Sequence, residues 1–124
     1  MEKIILIIGG IYNLGFAVFH IFFWKIFRWK ADMRSVIKIN KGIMYVMNLC
    51  LIYVFLFFGY ISIFHNDMLL SSKLGTTILI FISVFWFLRA IEQIFFFDIR
   101  KSVSIILTII FIIGGLVYLI PVLN

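Results

Sequence analysis

Four long apolar runs, joined by short charged connections, constrain this chain more than any other feature. A helix that crosses a bilayer needs about 20 apolar residues, because each adds only about 1.5 Å of rise. Four segments reach that length: Ile4 to about Trp29, about Gly42 to Phe64, about Leu74 to Phe97, and Val103 to Leu123. Lipid offers the backbone no hydrogen bonds, so only helices and closed barrels can span it. These runs lack the alternation of barrel strands. The expected fold is an all-α integral membrane protein. It is a four-transmembrane-helix antiparallel bundle forming a single domain over residues 1–124. Composition agrees, since 65% of residues are hydrophobic and 13% charged. A soluble domain of this length buries too small a share of its chain to hide so much apolar surface. Ile4 to Phe27 is too long for a signal peptide and no small-residue cleavage site ends it. It is expected to remain as the first span.

The connections set the orientation. The net charge is +6. Six of the eleven basic residues fall in KIFRWKADMRSVIKINK, residues 25–41, against one acid, Asp32. A cluster placed between two apolar runs reads as a membrane-orientation signal that attracts anionic lipid headgroups, and no nucleic-acid partner is expected. The third connection, DIRKS (98–102), is also basic. The positive-inside rule therefore places connections one and three in the cytoplasm of a multi-pass cell-membrane protein. The termini and the loop HNDMLLSSK (65–73) then lie outside. Trp24 and Trp29 fit an inner aromatic belt, and Tyr60 and Tyr118 an outer one. The basic connection contains no Gly or Pro, so it reads as largely helical. Helices one and two then project past the membrane, with Asp32 or Ser35 as candidate caps.

A weak repeat at an offset of 66 pairs Gly9 with Gly75, Val18-Phe19 with Val84-Phe85, and Asp32-Met33-Arg34 with Asp98-Ile99-Arg100. It suggests two pseudo-repeated hairpins. Chance matching in a chain of few letter types is the competing reading.

Polar residues inside the spans are the functional candidates, because each is costly in lipid. In FWFLRAIEQIFFF (85–97), Arg89, Glu92 and Gln93 sit together. Orientation puts them level with His20, Asn48, Ser104 and Thr108, with Asn13 nearer the midplane. The outer half is expected to hold fewer polar groups. Helical phase groups Gly9, Asn13, Ala17, His20 and Trp24 on one face of the first span. Tyr45, Asn48, Ile52, Phe55, Gly59 and Ser62 share a face of the second. The third presents Gly75, Leu79, Ile82, Trp86, Arg89 and Gln93, and the fourth Ser104, Thr108, Phe111, Gly115 and Tyr118. Phe16, Phe19, Phe23 and Phe27 read as lipid-facing. Arg89 and Glu92, three apart, are placed to neutralise each other. Convergence of His20, Asn48, Arg89, Glu92 and Gln93 gives a ligand-binding pocket. The competing reading is a structural ion pair plus interhelical glue, the role expected of Asn13, Ser104 and Thr108.

Cys50, the only cysteine, reads as a small buried hydrophobe, and no disulfide framework exists. No metal site or cofactor is expected. Tetrahedral metals want three or four ligands and only His20, Glu92 and Cys50 are on offer. A bis-histidine haem would need a partner for His20, but His65 lies in the outer loop. GxSxG, HExxH, P-loop and glycine-rich dinucleotide motifs are absent, and the reading leans against an enzyme. In size and span count the chain is similar to the small multidrug resistance transporters. Their essential carboxylate lies in the first helix, where this chain has no acid beyond Glu2, so no residue role carries over. The preferred function is binding or transport of a small or lipid-like anionic ligand, by a homo-oligomer or within a larger membrane complex. The alternatives are a non-catalytic accessory subunit of a membrane complex and, less favoured, a small enzyme acting on lipid or quinone.

Overall fold

A computed structural model describes all residues, 1–124. It is all-helical: α1 (Glu2–Ile21), α2 (Phe23–Ile26), α3 (Trp29–Asp32), a 3₁₀ turn (Met33–Ser35), α4 (Lys38–Phe64), α5 (Asn66–Ser71), α6 (Lys73–Phe96) and α7 (Ser102–Leu123). Helices α1, α4, α6 and α7 are long and apolar enough to cross a membrane. Their 20 to 27 residues correspond to about 30–40 Å of helix.

Local signals explain several ends. Ser72 caps α6, its Oγ accepting from the Gly75 backbone N–H at 2.9 Å, which satisfies one of the orphan donors of the first turn. Gly75 also lets α6 start tight against α5, because a Cβ there would strike the Met68 and Leu69 backbone. Before α7 the chain turns on Asp98, whose carboxylate accepts from the backbone N–H of Arg100 at 3.0 Å and from its Nε at 3.1 Å.

The first connection departs from the expected projecting helical hairpin. Helix α1 ends at Ile21, and Arg28 adopts a left-handed conformation at φ 53°. The chain then folds back over the bundle end. Trp29 packs edge-on to Phe23 and Tyr45, and Met33 is buried. Burial of Met33 and partial burial of Trp29 favour this fold-back over a helix projecting into water. Neither Asp32 nor Ser35 caps α4, which begins after Ile37 without a side-chain cap.

Glycines set the closest packing. Gly10 of α1 lies against Gly59 and Ile63 of α4, while Gly59 meets Leu14. Gly9 faces Tyr118 of α7, Gly114 of α7 faces Tyr12, and Gly115 faces Phe87 of α6. Tyr12 donates to the Ile110 carbonyl at 2.8 Å, and Ser83 to the Gly115 carbonyl at 2.8 Å. Thus α4 packs on α1, α1 on α7 and α7 on α6. Aromatic rings bridge the remaining side: Phe55 and Phe58 of α4 meet Phe85 of α6, and Phe55 stacks on Trp86 at 5.3 Å. The α1–α4 and α6–α7 pairs pack most extensively, and their connections, 22–37 and 97–101, differ in length and shape.

The core gathers Leu6, Ala17, Phe55, Leu79, Ile82, Trp86, Phe111 and Tyr118. Outward faces remain apolar, with Tyr53, Phe81, Phe95 and Val103 exposed. Two expectations are corrected. Cys50 is exposed on α4 rather than buried. Phe16, Phe19 and Phe23 are not outward residues: Phe16 packs against Tyr12, Phe55, Trp86 and Phe111, and Phe19 and Phe23 pack on His20, which leaves Phe27 as the exposed member of the stripe. Helix α1 touches both α4 and α7, so two of its faces are interior, and single-stripe phasing finds only one.

Candidate functional site

At the bundle end that carries the basic connection, a cavity of about 590 Å³ opens between the helices. Helices α1, α4, α6 and α7 all contribute, together with Trp29 and the Asp98 turn. Its walls are mostly aromatic: Phe16, Phe19, Phe23, Phe55, Trp86 and Phe111 surround it.

Two polar groups face each other across these rings. The first joins α1 to α4. Asn48 Nδ2 donates to the His20 carbonyl at 2.9 Å, and Asn48 Oδ1 lies 2.9 Å from His20 Nδ1. A carbonyl can only accept, so the amide orientation is fixed and Oδ1 must be the acceptor toward the ring. His20 Nδ1 therefore carries a proton, and the neutral imidazole keeps its lone pair on Nε2. Phe23 stacks on the imidazole at 4.1 Å.

The second group joins α6 to α7. Arg89 Nη2 donates to Gln93 Oε1 at 3.0 Å, and Gln93 Nε2 donates to Ser104 Oγ at 2.9 Å. The guanidinium carbon sits 4.5 Å from the Phe111 ring centroid, a cation–π contact worth about 0.5–2 kcal/mol depending on desolvation. Arg89 is half-buried and no carboxylate pairs with it. The ion pairs of the structure are Lys3–Asp67 and Arg100–Asp98, both elsewhere. Most of its five N–H donors are left without a protein acceptor. At the mouth stand Asp98 and Lys101. The Arg100 side chain, then its backbone N–H, hold the Asp98 carboxyl below the usual carboxylate range, so Asp98 stays ionised and occupied by Arg100.

The remaining sequence candidates are placed as follows. His20, Arg89, Gln93 and Ser104 line the cavity, and Asn48 supports it through His20. Thr108 is buried one turn from Ser104 and donates to its carbonyl at 2.8 Å. Glu92 does not join: it is exposed, outside the cavity lining, and makes neither a hydrogen bond nor an ion pair. Arg89 and Gln93, four apart, are stacked on one face, whereas Glu92 is turned away from Gln93 by about 100° of helix. The expected Arg89–Glu92 pair is thus replaced by Arg89–Gln93.

Asn13 belongs to a second polar cluster in the other half of the bundle, where few polar groups were expected. Its Nδ2 donates to the Gly9 carbonyl at 2.9 Å and to Tyr118 Oη at 2.8 Å. Tyr118 lies 2.7 Å from Ser62 Oγ, which donates to the Phe58 carbonyl at 2.6 Å. The Ser62 proton is thereby committed, so Tyr118 must donate to Ser62. Tyr118 is 0% exposed, not a member of an outer belt. Its in-phase position with Gly115 was the sequence signal for burial, and the belt rule pulled against it. Phe111, Phe23, Trp29, Asp98 and Lys101 are site residues that sequence reasoning did not assign to the pocket.

No three of the His, Cys, Asp and Glu side chains come together to hold a metal ion. The chain matches no protein-family model, no curated protein and no solved structure. The chemistry of the site is therefore argued from its own residues. It offers the Arg89 guanidinium inside and Lys101 at the mouth, neither in an ion pair, with a serine hydroxyl, a histidine nitrogen lone pair and a large aromatic surface.

Proposed function

We propose that this chain is a multi-pass membrane protein, an antiparallel four-helix bundle, that binds or transports an anionic and largely apolar ligand in the cavity around Arg89. One observation carries the reading. A guanidinium with no carboxylate partner lines an aromatic cavity, whereas a purely structural charge in a span is expected to be paired. The cavity volume lies within the roughly 300–1,000 Å³ range of small-molecule sites. The positive-inside rule favours the basic end, and with it the cavity, facing the cytoplasm of a cell membrane. Ligand from the cytoplasmic leaflet would then pass Lys101 at the mouth and reach Arg89, with Ser104 and Gln93 beside it and His20 also in the wall.

The test is purification of the intact protein in mild detergent, followed by native mass spectrometry. The expected result is a co-purifying adduct that is lost in Arg89→Gln while helix content is retained. A wild-type protein that never carries an adduct, and whose stability is unchanged by Arg89→Gln, would overturn the reading and leave the accessory-subunit alternative.

A further inference from the structure

Resting on the proposal that the Arg89 cavity binds an anion, we infer that its ligand is a single-tailed amphiphile with a carboxylate head, such as a long-chain fatty acid. Four observations define the class. Inside the cavity Arg89 is the one cation outside an ion pair, since Asp98 at the mouth is taken by Arg100; Lys101, also at the mouth, is exposed to solvent. One monoanion neutralises Arg89, whereas a phosphate monoester would bring an excess of negative charge into an apolar site. The guanidinium is held in place: Gln93 Oε1 fixes Nη2 from one side and Phe111 lies under its face. A planar fork fixed in this way matches two oxygens of a carboxylate or a phosphate, so the choice between them rests on charge. Ser104 Oγ accepts from Gln93 and has its own hydrogen left to donate, which gives the head group a further donor.

The fourth observation concerns the tail. Away from Arg89, Gln93, Ser104, His20 and the Asp98 and Lys101 mouth, the lining is apolar. Met44 and Leu51 of α4 and Phe85 of α6 form its flank, all three partly exposed. They stand on the side of the bundle that is bridged by aromatic side chains rather than by glycine-tight helix packing. A flexible acyl chain lying along Met44, Leu51 and Phe85 meets only apolar side chains, so the head enters the cavity while the tail remains in apolar surroundings. No second polar group lies along that path to receive a second head or a sugar.

The experiment uses the full chain in detergent and a fatty acid brominated along its tail, with the matched brominated alcohol and alkyl phosphate. Bromine quenches indole fluorescence at short range, and Trp86 and Trp29 both line the cavity. The fatty acid is expected to quench saturably. The alcohol should bind at least tenfold more weakly, as should the fatty acid to Arg89→Gln, with Arg89→Lys intermediate because it keeps charge but loses the fork. Tighter binding of the alkyl phosphate than of the carboxylate overturns the ligand class and leaves the anion-binding cavity standing. Equal binding of alcohol and acid removes Arg89 as the head-group contact. Absence of saturable quenching by all three probes sinks both this inference and the cavity reading beneath it. The acid–alcohol comparison needs no variant, so it decides the matter even where Arg89→Gln fails to fold.

Discussion

Asn48 does two things with one amide: it ties α4 to α1 and it fixes which nitrogen of His20 carries the proton. Asn48→Leu keeps the volume and removes both hydrogen bonds, leaving His20 Nδ1–H without an acceptor. Interhelical polar contacts between membrane helices are worth about 0.6–2 kcal/mol, so the variant should lose about 1–2 kcal/mol in a reversible detergent-unfolding titration. Tyr118→Phe tests the second cluster in the same way. It removes the group that accepts from Asn13 and donates to Ser62, in a side chain that is 0% exposed. The expected loss is again about 1–2 kcal/mol, without effect on binding in the cavity, because the two clusters share no residue. Asp98 supplies a pH dependence. Its folded-state pKa is depressed by Arg100, so its contribution to the turn is present above the ordinary carboxylate pKa of about 3.9. It is lost as pH falls through the folded value. The difference in melting temperature between wild type and Asp98→Asn should therefore be visible near neutral pH and close below about pH 4. A gap that persists unchanged in acid would argue that the Arg100 contact does not matter for stability.

Between helices, glycine placement separates close approach from mere tolerance. A Cβ on Gly10 would sit 2.5 Å from Ile63 Cγ1 and 3.0 Å from the Gly59 carbonyl oxygen, whereas Gly15 and Gly42 have nothing within 4 Å. Gly10→Ala should force α1 and α4 apart and cost about 1–3 kcal/mol of overpacking. Gly15→Ala and Gly42→Ala should stabilise by up to about 1 kcal/mol, through helix propensity alone. Melting of the three variants side by side checks both halves of the argument. The same contrast marks what the sequence could disclose. The stripes Gly75, Leu79, Ile82, Trp86, Gln93 and Ser104, Thr108, Phe111, Gly115, Tyr118 are buried in the structure, because helical phase is a property of each segment alone. Which neighbour a stripe meets is not local. Phe16 became interior because α1 contacts α7 as well as α4. Tyr118 found Asn13 and Ser62 only through the packing of three helices. Glu92 lies one residue from Gln93 yet faces outward. The break at Phe22 and the left-handed Arg28 had no Gly or Pro to announce them, and they depend on where Trp29 and Met33 could be buried.

At the scale of the whole molecule, the two polar clusters make the bundle ends unlike. One end holds a cavity and six cations in its connection, and the other a hydrogen-bonded chain from Asn13 through Tyr118 and Ser62 to the Phe58 carbonyl. That asymmetry has meaning only if the bundle crosses a bilayer in a fixed direction, and three cysteine positions test both parts of that claim. Cys50 is exposed on the flank of α4, flanked by the exposed Leu49 and Tyr53. In a bilayer it faces lipid, out of reach of a water-soluble reagent. A membrane-impermeant maleimide should leave it unmodified in intact cells and after permeabilisation, and modify it only once the chain is unfolded in detergent. With Cys50→Ser as background, Asn66→Cys lies in the loop expected outside and should label in intact cells. Ser35→Cys lies in the basic connection and should label only when the cytoplasmic side is opened. Rapid labelling of Cys50 in native membranes would argue that this face of α4 is not in lipid. Labelling of position 35, but not 66, from outside would invert the bundle and place the Arg89 cavity on the opposite leaflet.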